Sequence, residues 1–234
     1  MTAFPSTGRS LFGVHPFIRP ETVNPLLPAE WLPPASTASG ETPYGQLRFL
    51  AQLRSMFLLC EGVDGLVIID QHAAAERVTF ARLRCAYRDR GVASQRLLVP
   101  AAFAIDAEDT VFLEEEAEAV EATGLEIRVV GQNQGLVTAV PQILTRADPV
   151  RLARDLLDEA RHCGGRGFSG AVDLVLATMA CHGSIRSGDS VSSEEAVSLL
   201  RALDEVEFGG HCPHGRPLLM KVRYGELERL MGRR

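Results

Sequence analysis

The spacing of apolar positions along the chain changes abruptly at Asp70. The four residues before it, Leu66–Ile69, form a continuous apolar run, which predicts a short buried strand. Residues 62–65 (Gly-Val-Asp-Gly) carry the turn chemistry of a hairpin that leads into this strand. From His72 to Tyr87 apolar positions recur at helical spacing, and Gly91 is expected to end the helix.

The same patterns continue through the rest of the chain, whereas residues 48–59 mix apolar and polar positions without a clear period. They predict strands at 97–105, 125–130, 135–140 and 218–222, and helices at 107–123, 149–162, 171–185, 192–206 and 224–231. Residues 163–170 are rich in glycine and predict a loop. The fold class is therefore predicted to be α+β with two lobes, whose boundaries lie near Ser94 and Gly170.

The N-terminal residues 1–44 have a different composition. They contain eight prolines and little apolar periodicity. Such a segment cannot bury enough apolar surface to offset the entropy lost on ordering. We predict a proline-rich disordered linker over this stretch.

Composition narrows the class of protein. The chain has 234 residues, of which 46% are hydrophobic and 23% are charged, and it contains neither a membrane-length apolar run nor a secretory signal. A soluble, cytoplasmic protein without membrane contact is expected. The five cysteines are an odd number and argue against a disulfide framework. A net charge of −6 predicts that any DNA binding is weak, local or assisted by a partner.

The segment Asp70-Gln71-His72-Ala73 with Glu76 lies where the predicted strand meets the predicted helix. His72 and Glu76 are four residues apart, so both side chains project from one helix face and can present two ligands to a divalent cation. Asp70 can add an oxygen or act on a water. The competing interpretation is an ordinary helix start, in which Asp70 caps the helix and Glu76 pairs with an arginine.

Two later segments add soft donors. Cys181 lies in Ala-Cys-His late in an apolar helix, and Cys212 and His214 lie in Cys-Pro-His-Gly-Arg-Pro, a stiff turn that could also serve only to enter the next strand. Thiolate with imidazole favours zinc, and five candidate ligands allow two neighbouring ions bridged by Glu76. A zinc deaminase is excluded because it requires His-x-Glu and Pro-Cys-x-x-Cys.

These segments resemble the C-terminal domain of the MutL family of DNA mismatch-repair proteins, in its endonuclease-bearing branch. Asp70–Glu76 resembles the DQHA-x-x-E motif, Ala180–His182 the ACR-like segment and Cys212–Pro217 the C-P-H-G-R-P segment. The resemblance implies an α+β homodimer whose dimerisation lobe (45–94 and 170–234) holds an inserted regulatory lobe (95–169). Within the sequence itself, the dimer is supported by the apolar helix faces of residues 171–179 and 197–203, which are expected to contact the partner.

The resemblance also implies a set of site residues and partners. Metal would be bound by His72, Glu76, Cys181, Cys212 and His214, and Asp70 and Glu76 would be catalytic in nicking one strand of duplex DNA. The implied cofactors are Mn²⁺ or Mg²⁺ for nicking and Zn²⁺ in a structural or regulatory role. The implied partners are double-stranded DNA, a mismatch-recognition protein, a sliding clamp and a second copy of the chain.

The segment Gln95-Arg96-Leu97-Leu98-Val99-Pro100 resembles the family's clamp-binding peptide, with Gln95, Leu97, Leu98 and Pro100 as its binding residues. A buried strand is the competing interpretation of these six residues.

The sequence departs from the family pattern at two places. The full motif has a second glutamate after four further residues, and that position is Ala81. Nothing before residue 44 predicts the family's N-terminal ATPase, so we expect a fragment or a separately encoded piece. The leading hypothesis is a clamp-recruited nicking enzyme, and the alternative is a zinc-stabilised dimerisation and clamp-docking module that has lost cleavage.

Overall fold

A computed structural model describes residues 43–89, 91–131, 133–162, 167–183, 189–206 and 218–233. The strands are β1 (Arg48–Leu53), β2 (Phe57–Gly62), β3 (Gly65–Asp70), β4 (Ser94–Ala104), β5 (Glu126–Val130), β6 (Gln134–Pro141) and β7 (Leu219–Arg223). The helices are α1 (Gln71–Asp89), α2 (Ala107–Glu115), α3 (Ala117–Ala122), α4 (Pro149–His162), α5 (Gly167–Gly183), α6 (Ser193–Asp204) and α7 (Tyr224–Leu230). The α+β class is confirmed. None of the helices in the described ranges has the length and apolar character that crossing a membrane requires.

The first sheet is antiparallel and has the strand order β1-β2-β3-β7. Its β2–β3 hairpin pairs Gly62 with Gly65 across a two-residue turn, as the turn chemistry of the sequence predicted. A Cβ at Gly65 would lie 2.1 Å from the Val222 carbonyl oxygen, so only glycine lets β7 approach β3 at this point. This approach brings the chain after residue 217 alongside the end of β3.

The second sheet has the order β4-β6-β5 and is also antiparallel. The pairing of β4 with β6 is interrupted, because Arg96 pairs with Ala139 and the next paired residue is Ala101, opposite Val137. Four residues of β4 therefore lie opposite a single residue of β6 and form a wide bulge on an edge strand. That bulge holds Leu97–Pro100.

Helix α1 connects two apolar cores. Ala74 and Val78, in its first half, pack with the first sheet and α6. Phe80 and Leu83, further along, pack with the second sheet, α4 and α5. The junction at Asp70 is thus held by packing on both sides of the helix. The predicted lobe boundaries near 94 and 170 remain a prediction, and residues 1–42 of the predicted linker lie outside the described residues.

Two sequence-based expectations differ from the structure. The predicted helix 107–123 is two helices separated at Glu116, whose carboxylate accepts a bond of 3.5 Å from the Phe168 N–H at the start of α5. The predicted loop 163–170 is already helical from Gly167. The helix faces expected to support a dimer are largely buried within the chain, since Val175 and Leu200 are fully inaccessible, whereas Leu174 of α5 is 49% exposed. These two apolar helices contribute most of the apolar residues of these faces to the two cores, and a part for them in a dimer remains a prediction.

Candidate metal centre and docking segment

Asp70 is held at the strand-to-helix junction by backbone and side-chain bonds. Its N–H donates to the Leu218 carbonyl at 2.9 Å, which fixes the residue directly before β7 beside Asp70. Its Oδ1 accepts from the Ala73 N–H at 3.0 Å, the bond of a helix N-cap to the third helical residue. The capping role considered for Asp70 is confirmed. The carboxylate has further lone pairs available for chemistry beyond the cap.

His72 and Glu76 form a close pair one turn further along α1. The His72 Nε2 lies 3.0 Å from the Glu76 Oε1, and the two side chains are 40% and 12% exposed. Two ligand atoms about 2.1 Å from one tetrahedral cation lie about 3.4 Å apart. The pair is therefore set at nearly the separation that a shared cation requires, on a side of the helix that solvent reaches.

Contacts between α1 and α5 indicate the level at which Cys181 lies. Near the end of α1, Arg84 Nε lies 3.0 Å from Asp173 Oδ1, which is early in α5. At the start of α1, the Gln71 side chain donates to the carbonyl of Asp189, which follows the end of α5. The two helices therefore run antiparallel. Cys181 is eight residues after Asp173 and Glu76 is eight residues before Arg84, so both lie about 12 Å along their helices from that ion pair.

Two side chains near these residues were not singled out by the sequence analysis. His182, beside Cys181, contacts the Asp155 carboxylate of α4 through its Nε2, and the imidazole is largely buried. Gln71, inside the motif, is 1% exposed and makes tertiary hydrogen bonds. His182 carried a signal, because it occupies the position of the arginine in the ACR-like segment. A buried glutamine between two candidate site residues gives no comparable signal.

Cys212 and His214 lie outside the described residues, so the complete set of five candidate ligands is not described together. Within the described ranges, no three side chains of the His, Cys, Asp and Glu types are grouped closely enough to hold a metal ion. Leu218, the first described residue after the Cys-Pro-His-Gly-Arg-Pro segment, lies against Asp70. The metal-binding set therefore remains a prediction.

The segment that resembles a clamp-binding peptide, residues 95–100, contains the bulge of β4. The Leu98 and Val99 side chains are 103% and 79% exposed, while Leu97 packs against the core formed with the second sheet. Gln95 donates to the Arg96 carbonyl at 3.2 Å and lies exposed at the edge. The buried-strand interpretation is wrong for Leu98 and Val99, because the bulge turns both side chains into solvent.

Comparison with known proteins agrees with this fold. Residues 50–191 match the family described as the MutL C-terminal dimerisation domain. The chain is 37% identical over 206 residues to the DNA mismatch repair protein MutL of Xanthomonas campestris, covering 88% of this chain and 33% of that protein. It is 39% identical over 213 residues to the MutL of Rhizorhabdus wittichii, covering 90% of this chain and 35% of that protein.

The MutL of Trichlorobacter lovleyi is similar at 36% identity over 201 residues, covering 86% of this chain and 34% of that protein. The chain thus spans about a third of the length of these relatives. The family match covers more than half of the chain, and the relatives match most of it. The chain belongs to the MutL family of DNA mismatch-repair proteins, and it carries the C-terminal dimerisation domain of that family.

Proposed function

We propose that this chain is a metal-dependent endonuclease domain that nicks one strand of duplex DNA in mismatch repair. The observation that carries the proposal is the junction of β3 and α1, where the Asp70 carboxylate caps the helix that presents His72 and Glu76 as a 3.0 Å pair. A divalent cation at such a pair would polarise a phosphodiester and make a bound water more acidic.

The chain's own residues have separate tasks in this proposal. Asp70 is the group that accepts or orients the proton of the attacking water, because its carboxylate is fixed by the cap and lies only two residues before His72. His72 and Glu76 would hold the cation together, because their Nε2 and Oε1 atoms already lie 3.0 Å apart on one side of α1. Mn²⁺ or Mg²⁺ is the proposed cofactor for nicking.

The remaining ligands are proposed to be Cys181, Cys212 and His214. Cys181 lies at the level of Glu76 along the antiparallel helix pair, as the Arg84–Asp173 contact indicates. His214 precedes Leu218 by four residues, so even a fully extended connection could place it no more than about 14 Å from Leu218, whose carbonyl accepts from the Asp70 N–H. Two thiolates and two imidazoles suit zinc, which we assign a structural or regulatory role.

We propose that the outward face of the first sheet forms the homodimer interface. The inward side chains Leu58 and Ile69 are buried, so their neighbours in sequence point away from α1 and α6. Leu59, Ile68 and Met220 are direct cross-strand partners and form an apolar row on that outward face. Met220 is 48% exposed in the single chain. A second copy would cover this row.

Recruitment by a sliding clamp is proposed through the β4 bulge. A bulge on an edge strand presents Leu98 and Val99 without disturbing the core, because only Leu97 of this run packs inward. Extended peptides with exposed apolar side chains bind hydrophobic grooves in this way. Clamp binding would also hold a chain of net charge −6 close to DNA.

The alternative is a zinc-stabilised dimerisation and docking module without cleavage, which Ala81 favours. The position of residue 81 around the axis of α1 weakens the argument that Ala81 abolishes cleavage. At about 100° per residue, position 81 lies about 180° from His72 and about 140° from Glu76. It shares a face instead with Arg77 and Arg84, whose guanidinium carbons lie 5.8 and 6.0 Å from the Phe80 ring centroid. A glutamate at 81 would face these arginines, so its loss should affect bracing more than the ligand pair.

The proposal is tested by nicking of supercoiled plasmid in Mn²⁺, with and without clamp, using the Glu76→Gln variant. Asp89→Asn is the matched control, because Asp89 is an exposed carboxylate at the other end of the same helix. We expect open-circle product from the unaltered chain and from the control, and none above background from Glu76→Gln. Folded, dimeric, zinc-loaded chain that never nicks would support the docking module instead.

A further inference from the structure

Gln71 is a buried polar residue between the two candidate site residues Asp70 and His72. Its side chain is 1% exposed, and its backbone N–H donates to the Met56 carbonyl at 2.9 Å. The side-chain Oε1 accepts a bond of 2.5 Å from the Nε2 of Gln52, in β1. A buried amide without partners would cost about 1–3 kcal/mol, so this bond matters to the junction.

The carboxamide of Gln52 contacts a third part of the chain. Its Nε2 also donates to the Asp189 carbonyl at 2.8 Å, and its Oε1 accepts from the Val191 N–H at 3.2 Å. Gln71 Nε2 adds a longer bond of 3.4 Å to the same Asp189 carbonyl. One side chain thus joins β1, the start of α1 and residues 189–191. We call this set of bonds the glutamine bridge.

Residues 189–191 have a particular place in the chain. They follow α5, which carries Cys181, and they directly precede Ser192, the N-cap of α6. The glutamine bridge therefore fixes residues 189–191, directly before α6, against the residue that lies between Asp70 and His72. Apolar packing can slide by small amounts, whereas these bonds set a definite distance.

We infer that Gln52 is a positioning residue for the candidate metal centre, holding Gln71, and with it the neighbouring Asp70 and His72 of the β3–α1 junction, in place against β1 and residues 189–191. This inference rests on the proposed function, because it assigns Gln52 a purpose at the same centre. Gln52 touches neither metal nor DNA in this role. It acts through Gln71 and Asp189, whose bonds to it span 19 and 137 residues of sequence.

The test compares two variants with a matched control in the full chain. Gln52→Ala removes all three bonds, and Gln52→Glu keeps the shape but cannot donate to the Gln71 oxygen or the Asp189 carbonyl. Ser192→Ala is the control. Ser192 directly follows Val191, and its hydroxyl accepts the cap bond of 3.2 Å from the Glu195 N–H. The substitution removes this bond and leaves the glutamine bridge intact.

The measurement is the zinc dissociation constant of the metal-stripped chain, from competition with a chelating dye, together with the visible spectrum of the Co²⁺-loaded chain. We expect both Gln52 variants to weaken zinc binding about tenfold or more and to alter the Co²⁺ spectrum. Ser192→Ala should lower the melting temperature while leaving both readouts unchanged.

If the zinc dissociation constants of the Gln52 variants change no more than that of Ser192→Ala, the inference is overturned and the nuclease proposal stands. Absence of zinc and cobalt binding by the unaltered chain would overturn both. Normal zinc binding, weakened only in the Gln52 variants, but with no nicking by any form, would support the positioning role and contradict the nuclease.

Discussion

Asp70 is expected to serve both the fold and the chemistry, and two substitutions separate these roles. Asp70→Ala removes the cap bond from Asp70 Oδ1 to the Ala73 N–H, whereas Asp70→Asn retains an acceptor oxygen in its place. Asn and Asp cap helices about equally well, and loss of a cap costs about 1 kcal/mol. For a domain of this size that corresponds to about 2–4 °C in melting temperature. Asp70→Asn should therefore melt with the unaltered chain, and Asp70→Ala below it.

Nicking should respond differently. Both substitutions remove the carboxylate charge, so both should reduce the rate of plasmid nicking in Mn²⁺ by about 10²–10⁴-fold, the range for loss of a general base. The assay is the initial rate of open-circle formation, beside thermal denaturation of the same preparations. Nicking by Asp70→Asn at the unaltered rate would refute the chemical role, and equal melting temperatures for the two variants would refute the capping role.

Three further predictions concern other parts of the chain. Leu98→Asp, at a fully exposed bulge position, should abolish clamp binding in native gels while changing the unfolding free energy by less than about 0.5 kcal/mol. Met220→Asp should convert dimers to monomers in sedimentation analysis, whereas Leu230→Asp, also exposed but on α7, should not. Burial raises the pKa of the Cys60 thiol from an ordinary 9.0 to about 11, so Cys60 should resist thiol reagents that label exposed Cys85 in the native chain. Because the unfolded chain ionises this thiol first, its contribution to stability should be complete below pH 9.0 and lost as the pH rises to about 11, a loss that Cys60→Ala should lack.

The sequence predicted elements where local chemistry and period agree. The hairpin 62–65 has glycine at the ends of its turn, and α1 has a clear helical period, so both follow from local rules. The β1–β2 hairpin escaped prediction for two physical reasons. Its turn uses Arg54 and Ser55 at φ of 52° and 51°, and neither residue is a usual signal for that conformation. A register shift within β1 also breaks the alternation that would mark a strand.

In the candidate site too, features set by local sequence could be predicted, whereas contacts between distant residues could not. The residue types and the His72–Glu76 spacing are local, and the structure places that pair together as expected. The glutamine bridge joins Gln52 to residues 19 and 137 positions away, which no local pattern indicates. The dimer faces could not be assigned from the sequence, because an apolar helix face fits a partner subunit and the chain's own core equally well. Only the packing of α5 and α6 distinguishes the two.

Metal-dependent nicking is the central claim, and chelation followed by restoration of metal tests it most directly. The full chain is stripped with a chelator, dialysed, and assayed on supercoiled plasmid before and after Mn²⁺ is added. Stripped chain should leave the plasmid supercoiled, and added Mn²⁺ should restore open-circle product, with Asp70→Asn inactive in both states. Nicking that persists in stripped chain, or that Asp70→Asn retains after Mn²⁺ is added, would contradict the account.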